Sequence, residues 1–392
     1  MNNFTFWSPT KIIFGLDSEK KVGSTLASDN YKKIMVLYGQ KSVIASGLLD
    51  TVTTSLKEAN IEYTLLGGVE ANPTLAFVRK GIEIAKKEKV ELILAIGGGS
   101  VIDSAKGIGL AITHNMDPWH MIENQILPTK RIPTAVILTL SSAGSESSYS
   151  HVLTNEERNL KRSLNHDLMR PLYAFENPKL TFTVNRYQTA VGIVDTMMHT
   201  LERYFTTDTN SDLTDRLAEA LLVSVKIAGK RVVANPNDYE SRATLMWAST
   251  LSHNGITGCG KSHTFPVHKL EHDISGLYPK VAHGAGMAVL FPAWAKYIYK
   301  YDIRKFAQIA NRLWNVELDH DNLEWSAKEG IDAMISYFKE IGAPVSLKEL
   351  DVDKKDYPKI IDMITDNGKK EIASYIPLGK KEIFEIFELA TI

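Results

Sequence analysis

Four histidines and an aspartate carry the strongest chemical signal in the chain. In YQTAVGIVDTMMHTLERYFT (187–206), Asp195 and His199 stand four residues apart, a spacing that puts both on one face of a helix. Their neighbours Ile193, Val194, Met197, Met198 and Leu201 are apolar, so the helix reads as buried nearly all round. A carboxylate and an imidazole in such a place must pair with each other or ligate a metal. The segment HTFPVHKLEHDISGLYPKVAHGAGMAVLF (263–291) adds His268 and His272, again four apart, and His283, which directly precedes Gly284 and an apolar helical run. Together these residues supply a three-histidine, one-aspartate site. Imidazole and carboxylate donors suit Fe(II), Zn(II), Mn(II) or Ni(II).

A second signal points to phosphate. LILAIGGGSVID (92–103) is an apolar strand running into Gly97, Gly98, Gly99 and Ser100, followed by an amphipathic helix. Glycines let the backbone approach a ligand, and a helix start offers unpaired N–H groups and a positive dipole end. The fingerprint GxGxxG is absent, so this is not the usual first turn of a dinucleotide fold. A second strand ends in LTLSSAGSES (138–147), whose small hydroxylated residues could line a phosphate or ribose. GITGCGKS (255–262) matches the phosphate-loop pattern GxxxxGK[ST] letter for letter. Its context argues against that reading. A helical run precedes it where a buried strand is required, and Pro266 interrupts the helix that should follow Lys261.

These residues need two kinds of framework. Up to about residue 185, apolar runs at 34–38, 92–96 and 135–140 read as strands, and 52–59, 77–89 and 101–112 as helices; FTFW (4–7) and KIIF (11–14) read as an opening hairpin. Strands alternating with helices mean βαβ units and a mostly parallel sheet. Beyond that point the chain changes to long amphipathic stretches at 187–206, 211–230, 239–252, 285–300, 302–313, 323–341 and 381–389. The expected organisation is an α/β domain over 1–185 and an all-helical domain over 186–392.

Composition narrows the function classes. Lys plus Arg number 45 against 46 Asp plus Glu, which excludes a strongly basic nucleic-acid binder. The single cysteine, Cys259, excludes an intramolecular disulfide and a multi-cysteine zinc site. No apolar run approaches the roughly 18–20 residues of a membrane span, and the N-terminus lacks the pattern of a secretory signal. The expectation is a cytoplasmic protein without nucleic-acid or membrane partners.

GGGSVID (97–103), AGSE (143–146), DTMMHTLERYF (195–205) and HKLEH…AHG (268–284) together resemble the iron-dependent (group III) alcohol dehydrogenases, in particular their NADPH-using, butanol dehydrogenase-like branch. The resemblance spans essentially the whole chain. It implies a dehydroquinate synthase-like α/β domain joined to a helical metal domain, with a nicotinamide held between them and a homodimeric assembly. The metal ligands it implies are Asp195, His199, His268 and His283, holding Fe(II) or alternatively Zn(II). His272 matches a family histidine that is not a ligand but relays the proton. The implied cofactor positions are Gly98, Gly99, Ser100, Asp103, Thr139, Ser148 and Lys161, beside Gly97.

Cofactor choice in this family falls just after the strand ending at Tyr38, where an acidic residue accepts from the ribose 2′-hydroxyl and repels a 2′-phosphate. Here the run is Gly39-Gln40-Lys41-Ser42, with no acid until Asp50. Lys41 and Ser42 could hold a 2′-phosphate. The expected cofactor is NADP(H), with NAD(H) the alternative. The expected reaction interconverts a primary alcohol such as butanol with its aldehyde. A polyol (glycerol or propanediol) dehydrogenase, or a non-redox synthase on the same scaffold, is the alternative.

Overall fold

The computed structural model describes residues 1–208 and 210–391. The chain divides into two compact units, Trp7–Val184 and Asn185–Ile392, the second of which also includes Met1–Phe6.

The first unit is built on a six-stranded parallel sheet: β1 (Lys11–Phe14), β2 (Lys33–Tyr38), β3 (Glu62–Gly67), β4 (Leu92–Gly97), β5 (Thr134–Leu138) and β8 (Tyr173–Glu176), in the order β1-β8-β5-β4-β2-β3. Every residue of β4, β5 and β8 is buried, as expected of central strands covered on both faces. Helices α1 (Val22–Ser28), α2 (Ser42–Ala45), α3 (Leu48–Glu58), α4 (Leu75–Glu88), α5 (Gly99–His114) and α6 (Pro118–Glu123) make the connections. A separate antiparallel ribbon pairs β6 (Ser150–Asn155) with β7 (Leu160–Asn165).

The opening hairpin does not form. Residues 4–7 hold no strand, and β1 pairs in parallel with β8, Lys11 opposite Tyr173. The apolar β8 supplies the ladder that Ile12 and Ile13 need. Pro9 has no N–H to give to a ladder with 4–7.

The second unit comprises α7 (Arg186–Tyr204), α8 (Asp212–Ala234), α9 (Tyr239–His253), α10 (Pro266–Leu277), α11 (His283–Ile298), α12 (Ile303–Trp314), α13 (Leu323–Ile341), α14 (Tyr357–Thr365) and α15 (Lys380–Leu389). Local chemistry sets their ends. Asn185, Asp238, Asp302 and Asn322 cap α7, α9, α12 and α13 by accepting an N–H from the first turn. Gly342, at φ 91°, ends α13. Pro266 opens α10, where its missing N–H is harmless. α7 and α11 are buried along most of their length. The N-terminal residues join this unit through Asn2, whose N–H donates to the Gly260 carbonyl (3.0 Å) and whose side-chain amide reaches Asp208 (2.8 Å) and Ser262 (3.1 Å). Among the described residues no helix is long and apolar enough to cross a membrane.

Candidate metal and cofactor sites

Three helices of the second unit deliver the histidine set. α7 contributes Asp195 and His199, α10 contributes His268 and His272, and His283 is the first residue of α11. Glycine makes their approach possible. A Cβ at Gly284 would run into the Val191 carbonyl of α7, and one at Gly286 into the Glu271 side chain of α10.

Asp195, His199 and His268 are buried and place donor atoms within 4.8 Å of one another. His283 reaches the set through Nε2, 3.8 Å from Asp195 Oδ1, and its ring lies 5.1 Å from that of His268. His272 is half-buried, 5.7 Å from the His283 ring, and shares a second donor cluster with His283 and Glu271.

The hydrogen bonds fix the tautomers. His199 Nδ1 donates to the Asp195 backbone carbonyl (2.9 Å), which can only accept. Both oxygens of Glu202 already take backbone N–H groups, from Val267 (2.7 Å) and His268 (3.2 Å), so this carboxylate accepts from His268 Nδ1 as well. Glu271 accepts in the same way from His283 Nδ1 and from Ser275. Each ring therefore carries its proton on Nδ1 and keeps a lone pair on Nε2. The Nε2 atoms of His199 and His268 face each other at 3.2 Å. Two lone pairs at that separation repel, and a cation accepting both removes the conflict. The donor set thus fits a divalent ion, with each imidazole oriented from behind by an oxygen.

Electrostatics agree. Burial alone would raise the Asp195 carboxyl, but the adjoining imidazoles, first His199, which also hydrogen-bonds to it, then His283 and His268, hold it well below the usual carboxylate range. Burial, then the neighbouring His199 and His283, push His268 well below the ordinary histidine value, so it stays neutral and able to ligate. Burial lifts Glu202 to about 7 against the pull of the Val267 and His268 backbone N–H groups.

Around this set the sequence had assigned no role to Glu202, Glu271, Arg203, His253 or Phe265. Arg203 is buried; it donates to the carbonyls of His199 (2.6 Å) and Ser252 (2.9 Å) and to His253 Nδ1 (3.0 Å), and its guanidinium lies 4.7 Å over the Phe265 ring. His253 packs edge-on against His199, ring centres 4.1 Å apart. The spacings 199/202 and 268/271, one helical turn each, were the available signal for the two glutamates. The segment 255–262 follows α9 and contains a single 3-10 turn. Lys261 is committed to the Tyr204 carbonyl (3.3 Å) and to Asp215, which leaves the phosphate-loop pattern without its strand, helix or free lysine.

In the first unit, Gly97 ends β4 and Gly99 opens α5, a 16-residue helix with no side-chain cap at Gly98. Its first N–H groups are those of an uncapped positive helix end. A Cβ at Gly98 would sit 3.2 Å from Leu140, and one at Gly99 3.5 Å from Ala143. Thr139 N–H binds the Gly97 carbonyl (3.2 Å). Residues 39–42 follow β2, which pairs with β4, Tyr38 opposite Ile96. The chain runs outward from this pair in both directions, to β3 on one side and to β5 and β8 on the other. That is a topological switch point, where open α/β sheets bind ligands beyond the carboxyl ends of their strands. Lys41 and Ser42 are exposed there. Asp103 accepts from Ser145 Oγ (2.7 Å) and Val152 N–H (3.2 Å), Ser148 Oγ accepts from Lys106 (3.3 Å), and Lys161 donates to Asn72 (3.0 Å). The uncapped glycine turn and its walls fit a dinucleotide phosphate.

Residues 9–178 match the family model for iron-containing alcohol dehydrogenase, and residues 189–391 match the C-terminal model of the same family. The chain belongs to the iron-containing alcohol dehydrogenases. It is an oxidoreductase of that family, which implies a nicotinamide cofactor and a metal, usually iron. This iron-containing alcohol dehydrogenase is 37% identical to NADH-dependent butanol dehydrogenase A of Clostridium acetobutylicum, over 99% of each chain. It is 31% identical to the NADPH-dependent aldehyde reductase YqhD of Escherichia coli, over 95% of each. Among solved structures, NADH-dependent butanol dehydrogenase A of Thermotoga maritima superposes with a TM-score of 0.96 at 34% identity, covering 100% of this chain and 99% of that one.

Proposed function

We propose that this alcohol dehydrogenase interconverts primary alcohols such as butanol and their aldehydes, using NADP(H) and one divalent metal, with Fe(II) the resident ion. The observation that carries the reading is the opposed Nε2 atoms of His199 and His268 beside Asp195, with His283 Nε2 3.8 Å from the same carboxylate. Asp195, His199, His268 and His283 would hold a divalent ion, which would lend Lewis acidity at the substrate oxygen, and a bound nicotinamide would serve as the hydride donor or acceptor. Glu202 and Glu271 keep His268 and His283 in the ligating tautomer. His272 takes or returns the hydroxyl proton, directly or through a water or a ribose hydroxyl.

The glycine turn at 97–100 holds the pyrophosphate. Lys41 and Ser42 hold the 2′-phosphate; the absence of an acid between 39 and 42 supports NADP(H), while the relatives' names include both cofactors. We also propose a cytoplasmic homodimer. The single cysteine suits a reducing compartment, and Phe4, Phe6 and Trp7 are exposed aromatics that a second copy would cover.

Anaerobic purification followed by metal analysis, beside a panel of aldehydes with NADPH and NADH, tests the reading. About one iron per chain and faster reduction of linear aldehydes with NADPH are expected. Stoichiometric metal with no turnover of any alcohol or aldehyde would reject the substrate class, and an NADH preference would reject the cofactor assignment.

A further inference from the structure

Lys106 belongs to no part of the chemistry described so far, yet only 3% of it is exposed. It lies on α5, the helix whose first turn forms the glycine site. Its ammonium donates to Ser145 Oγ (2.9 Å), Ser148 Oγ (3.3 Å) and the carbonyls of Ser148 (3.2 Å) and Ser150 (2.8 Å). One turn earlier on the same face, Asp103 takes the Ser145 hydroxyl and the Val152 N–H, and its Oδ1 is 3.9 Å from the Lys106 ammonium. Ser145 is thus gripped by both residues, and Ser145, Glu146, Ser147 and Ser148 are all buried.

The gripped segment continues the loop that walls the glycine turn. Thr139 is bonded to Gly97, Leu140 lies 3.2 Å from where a Cβ at Gly98 would sit, and Ala143 would be in ordinary contact with a Cβ at Gly99. We propose that Lys106 is a positioning residue for the cofactor: it locks residues 145–150 onto α5 and so holds the loop from 139 onward in the shape that leaves room for the pyrophosphate. On this view Asp103 and Ser148 act by holding that loop rather than by touching the cofactor. Lysine suits the post because three N–H donors can serve oxygens that come from both side chains and carbonyls. A hydrocarbon side chain of similar length leaves those buried oxygens without their donor.

The inference rests on the glycine turn being the phosphate site, and the experiment separates the two. Wild type, Gly98→Val, Lys106→Met and Asp103→Asn are compared in two measurements: NADPH affinity by fluorescence titration, and hydrogen exchange of residues 139–150 in cofactor-free protein. Lys106→Met should exchange faster across 139–150 and bind NADPH about tenfold or more weakly, the scale of one or two lost buried hydrogen bonds, with metal content unchanged. Asp103→Asn should move both readouts the same way by a smaller amount, and it carries the test if Lys106→Met does not fold. Gly98→Val should lose NADPH while its exchange in 145–150 stays at the wild-type rate. If Gly98→Val binds NADPH normally, the phosphate-site reading fails. If Gly98→Val loses NADPH while the folded Lys106 and Asp103 variants keep wild-type exchange and affinity, the positioning role fails alone.

Discussion

His199 and His268 point their Nε2 atoms at each other across 3.2 Å, while Nδ1 of each is bound to an oxygen that accepts its proton. Neither ring can relieve the other by turning over without giving up a buried hydrogen bond. The pair is therefore built for a cation, and removing one ring should remove the cation.

His268→Ala should lose stoichiometric metal and activity together. Metal analysis of the folded variant, beside its turnover of an aldehyde with NADPH, checks this. A full metal complement in the variant would overturn the ligand assignment.

Glu202→Gln should keep the fold and weaken metal binding by about 10–100-fold, because the group orienting His268 from behind no longer fixes its tautomer. Competition against a chelator of known affinity measures the change. An affinity equal to wild type would mean that Glu202 only packs.

His272→Ala should retain the metal and lower kcat by roughly 10²-fold, the usual worth of a positioned acid–base group. The pH profile of kcat should flatten in the same variant. If the metal is lost instead, His272 is a ligand and His283, its neighbour in the donor cluster, needs reassignment.

Gln40→Asp should shift preference toward NAD(H), since a carboxylate at the end of β2 accepts from the ribose and repels the 2′-phosphate. The ratio of kcat/KM for the two cofactors in wild type and variant decides it. No change in that ratio would place the 2′-site elsewhere.

Lys106 should leave a signature in stability against pH. Burial lowers its pKa from 10.5 to about 8; Asp103 and Glu146 pull it back up, while Arg131 and Arg170 push it further down. His151, pushed down to about 3 by burial and by Lys106 itself, stays neutral. Below pH 8 both folded and unfolded chains carry the proton, and the burial penalty is present in full. Between about 8 and 10.5 the unfolded chain binds a proton that the folded chain has released, so stability rises with pH. Wild type should gain on Lys106→Met across that window in urea midpoints. A difference that is flat with pH would mean that burial does not lower the Lys106 pKa in the folded chain.

Much of the site was legible because its signals are local. Asp195 and His199 sit four apart among apolar neighbours, and Gly97, Gly98 and Gly99 stand between an apolar strand and a helix. The glutamates behind the histidines were less legible. Glu202 is one turn from His199 but serves His268, 66 residues away, and only the packing of both α7 and α10 on α11 brings that pair together. The misread hairpin has the same origin. KIIF looks like a strand in search of a neighbour, and the adjacent FTFW is the nearest candidate in sequence. Its real partner begins at Tyr173, too far away for any local pattern to reveal. GITGCGKS shows the converse, a complete local pattern in a tertiary setting that gives it another task.

The attachment of Met1–Phe6 to the helical unit has a consequence for how the chain is made. Asn2 leaves the ribosome well before its partners Asp208, Gly260 and Ser262, which follow on the order of ten seconds or more later, at roughly 5–20 residues per second. By then every strand of the parallel sheet has been synthesised. Asn2 is thus seated only after the strands of the sheet have been made, through side-chain contacts that reach 206 and 260 residues along the chain.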